Sequence, residues 1–229
     1  MNENQRHWPP GSLLGGVQGA SKKLLLSLGT QKHAEPGEVI IREGASGTLV
    51  YLLLAGSVKV TGATEPGVDA LLAIRVGGDA VGELAALDEQ PRLATVTTAG
   101  PVHLLIIKQA DFLNALQRDP KLALAVARGV SDKLRTATSR RIDFTGCDVI
   151  TRLARVLLEL ANRYGEESDA GRTLGCPLTQ GELATLASAG EVTVQRALRQ
   201  LRAEGIVATG YRETTVLDMA ALKDRAYPG

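Results

Sequence analysis

The strongest constraint on this chain of 229 residues is a run with no internal proline, from Pro120 to about Phe144. Asp119 can cap its start, and Pro120 falls at the first helical position, where a missing N–H does no harm. One glycine, Gly129, interrupts about 24 residues. Leu122, Val126, Val130, Leu134, Ala137 and Arg141 follow one another at steps of four and three, a narrow stripe on one long helix. Such a stripe packs either on its own neighbouring domain or on a second copy in a parallel coiled coil. The small residues Ala123, Ala127, Gly129 and Ala137 permit close approach, so the stripe is expected to be a dimer seam. The helix should end near Gly146-Cys147-Asp148, a hinge.

The two flanks of this helix differ in pattern. From Glu35 to about residue 108, short runs rich in Val, Ile, Leu and Thr alternate with glycine turns. Strands are expected at Val39–Arg42, Leu49–Leu54, Ser57–Thr61, Ala70–Arg75, Ala94–Thr98 and His103–Ile107, which suggests a compact β barrel or sandwich. Residues 1–12 read as a flexible arm, residues 13–29 as one or two short helices, and Asp111–Leu116 as another. Beyond the hinge, Val149–Tyr164 is amphipathic, and residues 165–173 read as a polar loop.

Leu178–Ala203 then encodes two short helices with a break at Ser188-Ala189-Gly190. Thr179 with Glu182 three residues on is a capping box. In the second helix Val194, Ala197, Leu198 and Leu201 share one face, opposite Glu191, Thr193, Gln195, Arg196, Arg199 and Arg202. Strands at Ile206–Ala208 and Thr214–Leu217 surround a turn at Gly210-Tyr211-Arg212, and Asp218 caps a last helix, Met219–Arg225. A helix pair followed by a hairpin is a winged helix-turn-helix, whose second helix enters a DNA major groove. A solvated helical hairpin would show the same periodicity.

Composition bounds the rest. Apolar residues make up 44% and aromatic ones 3%, so aliphatic and alanine side chains must fill a globular core. No apolar run approaches a membrane span, and the N-terminus lacks a signal pattern; a cytoplasmic location is expected. Net charge is +1, and residues 150–229 hold ten Arg/Lys against ten Asp/Glu. DNA contact must therefore come from a local set of arginines, doubled in a dimer. Cys147 and Cys176 are expected as free thiols, and His7, His33 and His103 have no metal-type spacing, so no metal site is expected. No nucleophile–base arrangement is legible, and no enzyme is expected.

This order of parts resembles the CRP/FNR (cAMP receptor protein/fumarate-nitrate reductase regulator) family of bacterial transcription regulators, over about residues 24–225. Gly37-Glu-Val-Ile-Ile-Arg-Glu-Gly44 and Leu53-Leu-Ala-Gly-Ser-Val-Lys-Val60 resemble the entry strands of a cyclic-nucleotide-binding β-roll. Val81-Gly-Glu-Leu84 with Pro91-Arg-Leu-Ala-Thr95 resembles its phosphate-binding cassette. The resemblance implies an α+β fold: a cyclic-nucleotide-binding-like β-roll of jelly-roll type over 1–116, a dimerisation helix and hinge over 117–146, and a winged helix-turn-helix over 147–229. It implies effector contacts from Gly82, Glu83, Leu84, Arg92, Leu93, Ala94, Ala137 and Thr138, with Glu83 on a ribose hydroxyl and Arg92 on the phosphate. An internal Glu83–Arg92 ion pair is the competing reading of those two residues. DNA contacts are implied for Thr179, Gln180, Glu191, Val192, Thr193, Gln195, Arg196, Arg199 and Arg212.

Departures from the family pattern qualify these expectations. Leu93 stands where cyclic-nucleotide binders carry Ser or Thr, and is expected to cover the pocket with apolar surface. Ala137-Thr138 stands where a Thr-Ser pair reads the purine. The expected effector is a cyclic nucleotide or small molecule other than cAMP, or none. No cysteine cluster suits an iron–sulfur centre, and no His or Cys near Gly77–Gly82 suits a haem. Glu191 and Val192 replace an Arg that reads guanine and a Glu that reads cytosine, which implies an unusual operator. The implied protein is a homodimeric regulator on a near-palindromic site, partnered by RNA polymerase. A non-DNA small-molecule- or partner-binding module with a degenerate head is the alternative.

Overall fold

The structure, a computed structural model, describes residues 8–9, 11–64, 67 and 69–228. The expected arm lies mostly outside these residues, but Trp8 is buried and its indole N–H donates to the Leu54 carbonyl at 3.1 Å. Two short helices follow, α1 (Leu13–Gly16) and α2 (Gly19–Ser27). Ser12 caps the first, accepting from the Gly15 N–H.

The strands are β1 (Thr30–Ala34), β2 (Val39–Ile41), β3 (Leu49–Ala55), β4 (Ser57–Ala63), β5 (Asp69–Val76) and β6 (Ala80–Val81). After helix α3 (Glu83–Asp88) come β7 (Thr95–Thr98) and β8 (Val102–Lys108). They form two antiparallel sheets, ordered β1-β8-β3-β6 and β2-β7-β4-β5. Leu53, Val58, Val96, Val102 and Leu104 fill the space between the sheets. Val50, Leu52 and Leu54 take the other face of β3, against Leu14, Leu25, Phe112, Leu122 and Val126. Burial on both faces explains why β3 reads as a continuous apolar run. The expected strands are present, and β1 and β6 are additional to them.

Helix α4 (Gln109–Arg118) leads into α5 (Pro120–Gly146). The Asp119 carboxylate accepts from the Lys121 and Leu122 N–H groups, as the Asp-Pro start requires. Leu122 and Val126, expected on the seam, are instead buried in the chain's own core, while Leu134 is 66% exposed. The cause is geometric. A four-residue step advances 400°, so each leaves about 40° of drift, and three steps carry a residue about 120° around the helix. The stripe therefore serves two faces in turn.

Helix α6 (Val149–Tyr164) starts at Asp148, whose carboxylate accepts from the Thr151 N–H at 2.9 Å. The residues expected to form a loop include two short strands, β9 (Glu167–Ser168) and β10 (Gly171–Thr173). Then follow α7 (Gln180–Leu186), α8 (Glu191–Ala203), β11 (Val207–Gly210), β12 (Glu213–Val216) and α9 (Met219–Ala226). The four strands pair as β11-β12-β10-β9. Leu153, Leu157, Leu160, Leu183, Leu186, Val194, Leu198, Leu201 and Leu222 are buried, with α6 packed against α7, α8 and α9. The chain divides into two compact units, residues 1–69 with 73–134 and residues 70–72 with 135–229. Among the described residues no helix is long and apolar enough to cross a membrane.

The Thr151 hydroxyl, and then its N–H, hold the Asp148 carboxyl below the usual carboxylate range. A depressed carboxyl stabilises the fold above the unfolded-state pKa, and that contribution is lost as the pH falls through the folded value. Asp148→Ala is expected to cost about 1 kcal/mol at neutral pH. In urea denaturation followed by circular dichroism, the gap to the parent closes in acid.

Candidate effector pocket and nucleic-acid interface

In the first unit the two cassette residues are both buried. Gly82 caps α3 with φ +82, a left-handed turn that sets Glu83 at the helix start. Glu83 is 4% exposed. Its Oε1 accepts from Lys133 Nζ of α5 at 2.7 Å, and the same ammonium donates to the Ala80 carbonyl at 2.9 Å. Arg92 makes no ion pair with Glu83. Its Nη1 donates to the Gly82 carbonyl at 2.8 Å and its Nη2 to the Leu49 carbonyl at 2.6 Å. A Cβ on Gly47 would lie 2.6 Å from Nη2, and one on Gly82 2.5 Å from Nη1. Two glycine backbones thus close around the guanidinium, which a larger residue at either position would have to displace.

The remaining cassette residues are more open. Leu84 is half-buried and Ala94 buried. Leu93 is 74% exposed, so it does not roof the cassette as expected. The neighbouring carbonyls of Gly82 and Leu49 turn Arg92 inward, and Leu93, the next residue on an irregular segment, turns out. Ala137 and Thr138 belong to the second unit and are exposed on α5. Sequence reasoning missed Lys133; its only signal was a lysine on the polar side of a helix, 50 residues from its partner. It also left His33 and His103 isolated, whereas they are cross-strand partners with rings stacked at 4.3 Å.

In the second unit the capping box at Thr179 and Glu182 is formed, with both bonds made. Thr179 is thereby half-buried and engaged, while Gln180 is exposed. Ser188, at φ +50, turns the chain between α7 and α8. Arg152 of α6 holds that turn: its Nε donates to the Ala187 carbonyl and its Nη2 to the Ser188 carbonyl, while Nη1 reaches the Cys147 carbonyl. One guanidinium therefore satisfies carbonyls at both the end of α5 and the helix-turn-helix turn.

The outer face of α8 carries Val192, Arg196 and Arg199, all exposed. Arg196 and Arg199 have no ion pair among the described residues. Gln195 is half-buried and donates to Glu191 Oε1 at 3.2 Å, and the Glu191 carboxylate lies near Gly181 of α7. Thr193 is exposed. At the wing tip Tyr211 is 92% exposed, and Arg212, at φ +55, places its guanidinium 5.9 Å from the tyrosine ring centroid. Exposed cations on one helix and one hairpin tip suit a phosphate backbone on either side of a groove.

Comparison with known proteins agrees with both units. Residues 31–119 match the cyclic nucleotide-binding domain family and residues 151–225 the Crp-like helix-turn-helix domain family. The chain is 30% identical over 218 residues to the cyclic AMP receptor protein of Thermus thermophilus, covering 94% of this chain and 96% of that protein. It is 28% identical over 190 residues to the CRP-like cAMP-activated global transcriptional regulator of Mycobacterium tuberculosis, covering 83% and 85%. The structure of a CRP/FNR-family transcriptional regulator from Thermus thermophilus superposes with a TM-score of 0.72 at 26% identity, covering 86% of this chain and 98% of that one. On these grounds the chain belongs to the CRP/FNR family of transcription regulators, with a helix-turn-helix DNA-binding domain.

Proposed function

We propose that this protein is a homodimeric, sequence-specific DNA-binding regulator acting in the cytoplasm on a near-palindromic operator, with RNA polymerase as its further partner. Residues 1–116 serve as the effector domain, 117–146 as dimerisation helix and hinge, and 147–229 as the DNA-binding domain. The observation that carries the reading is the exposed set Val192, Arg196 and Arg199 on α8 with Arg212 at the wing. In a dimer, two such sets face major grooves about one helical turn apart.

The dimer seam we propose is the exposed face of α5. Leu124, Ala127, Ser131, Leu134, Thr138 and Ile142 are all exposed and fall within about 80° of arc at 3.6 residues per turn. This replaces Leu122 and Val126, which are already used, keeps Leu134, and leaves Val130, Ala137 and Arg141 at the border of the face. The effector is a small molecule other than cAMP, or none. In support, Leu93 brings no hydroxyl to the cassette, and the Lys133 ammonium already occupies Glu83.

The test is enrichment of duplexes from random DNA by the full-length protein, followed by gel shift. A retarded complex with two related half-sites is expected, weakening steeply with salt and unchanged by cAMP. No retardation at low salt would overturn the regulator reading. A complex that forms only with cAMP would overturn the effector reading.

A further inference from the structure

The outer residues of a recognition helix are the ones that meet base edges, and α8 has an unusual one. Helical geometry sets Val192 about 160° from the buried Val194, within about 40° of Arg196 one turn later and about 20° of Arg199 two turns later. It is 61% exposed, a β-branched apolar side chain at the second position of the helix. The fold does not use it: the face that packs inward is Val194, Ala197, Leu198 and Leu201. Nor does the helix gain from it, because an exposed valine is a poorer helix former than alanine.

Its neighbours narrow what it does. Gln195, whose amide could read adenine, gives its N–H to Glu191, and the Glu191 carboxylate leans toward α7. Of the first turn's side chains Val192 stands farthest from the buried face, with Thr193 exposed beside it about 100° from Val194. An isopropyl group offers neither donor nor acceptor. The major groove presents one apolar group among its polar edges, the 5-methyl of thymine. Against cytosine N4 or guanine O6, valine would leave a polar group dehydrated and unpaired, which is costly.

We propose, resting on the regulator reading, that Val192 reads the methyl group of a thymine, one in each half-site of the operator. The same residue attracts thymine by apolar contact and rejects a G·C pair by pairing with nothing. Arg196 and Arg199 anchor the flanking phosphates or bases.

Deoxyuridine tests this directly, since it differs from thymidine by that methyl alone and keeps every hydrogen-bonding group. Duplexes enriched by the full-length protein are resynthesised with each symmetric pair of thymines replaced by uracil, and binding is followed by fluorescence anisotropy. At one pair of positions the parent is expected to lose about fourfold in affinity per methyl, about fifteenfold for both half-sites. Val192→Ala, a surface change, is expected to bind the thymine duplex about as weakly as the parent binds the uracil duplex and to be indifferent to the methyl. Val192→Ile is expected to retain the sensitivity. Uracil tolerated at every position, or a Val192→Ala protein as sensitive as its parent, would overturn the assignment. If no duplex is enriched at all, the regulator reading itself fails, and this inference with it.

Discussion

Replacing Lys133 with alanine is expected to destabilise the β-roll unit by about 3 kcal/mol. The Glu83 side chain is 6% exposed and its charge is matched by the Lys133 ammonium at 2.7 Å. Removing one partner of a buried pair costs about 3–5 kcal/mol, because the remaining charge is stranded. The lower end applies here, since the lysine side chain retains 26% of its exposure and water reaches that side. The Ala80 carbonyl loses a donor as well. Urea denaturation at neutral pH measures the loss. Adding Glu83→Gln to Lys133→Ala removes the stranded charge and is expected to recover most of it. A double variant no more stable than Lys133→Ala would show that the ammonium works by packing rather than by charge.

Arg92→Ala is expected to cost about 2–4 kcal/mol in protein free of any effector. Two carbonyls, Gly82 and Leu49, lose their donor, and each buried unsatisfied group costs about 1–3 kcal/mol. The space between Gly47 and Gly82 is also emptied. The contrast with a side chain held ready for a ligand is sharp: such residues are often neutral or even stabilising to remove. Arg92→Lys offers one ammonium to two carbonyls and is expected to fall between. Thermal or chemical denaturation of ligand-free protein decides; an Arg92→Ala protein as stable as its parent would mean that the carbonyl contacts contribute nothing.

The parts that carry strong local patterns were legible from the chain. The Asp119-Pro120 start of α5, the Thr179–Glu182 capping box and the Asp218 cap each pair a side chain with an N–H two or three residues away. The strands buried on one or both faces declared themselves as apolar runs. What was not legible has little such signal. Strand β1, Thr-Gln-Lys-His-Ala, has four exposed residues out of five and sits at a sheet edge, so no alternation marks it. Strand β6 is two residues long. The stripe of α5, stepping mostly by four residues, reads as a single face because its drift shows only when something packs against it.

Long-range polar partners were the other omission. Nothing in the spacing joins Lys133 to Glu83, Arg92 to Leu49, or Arg152 to the Ala187 and Ser188 carbonyls. Each spans tens of residues and is made only once the backbone has folded. Those four hydrogen bonds nevertheless fix the cassette and the helix-turn-helix turn. Residue type and local spacing thus pick out candidate positions but not the groups that those side chains touch.

Trp8 has a practical corollary. It is the one tryptophan of the sequence, buried in the first unit beneath the Lys22 ammonium, 5.0 Å from its ring. The second unit holds Phe144 and three tyrosines, Tyr164, Tyr211 and Tyr227, but no tryptophan. Indole emission is therefore a private reporter for the β-roll half of the chain. Helical ellipticity, by contrast, is shared by both halves, with α6 to α9 and the end of α5 carrying somewhat more than half of it. Recording both optical signals along one denaturant titration separates the melting of the two halves without cutting the chain. Lys133→Ala and Arg92→Ala should move the emission midpoint, and Asp148→Ala the ellipticity midpoint. Coincident curves in all three would instead reveal that the halves unfold as a single cooperative body.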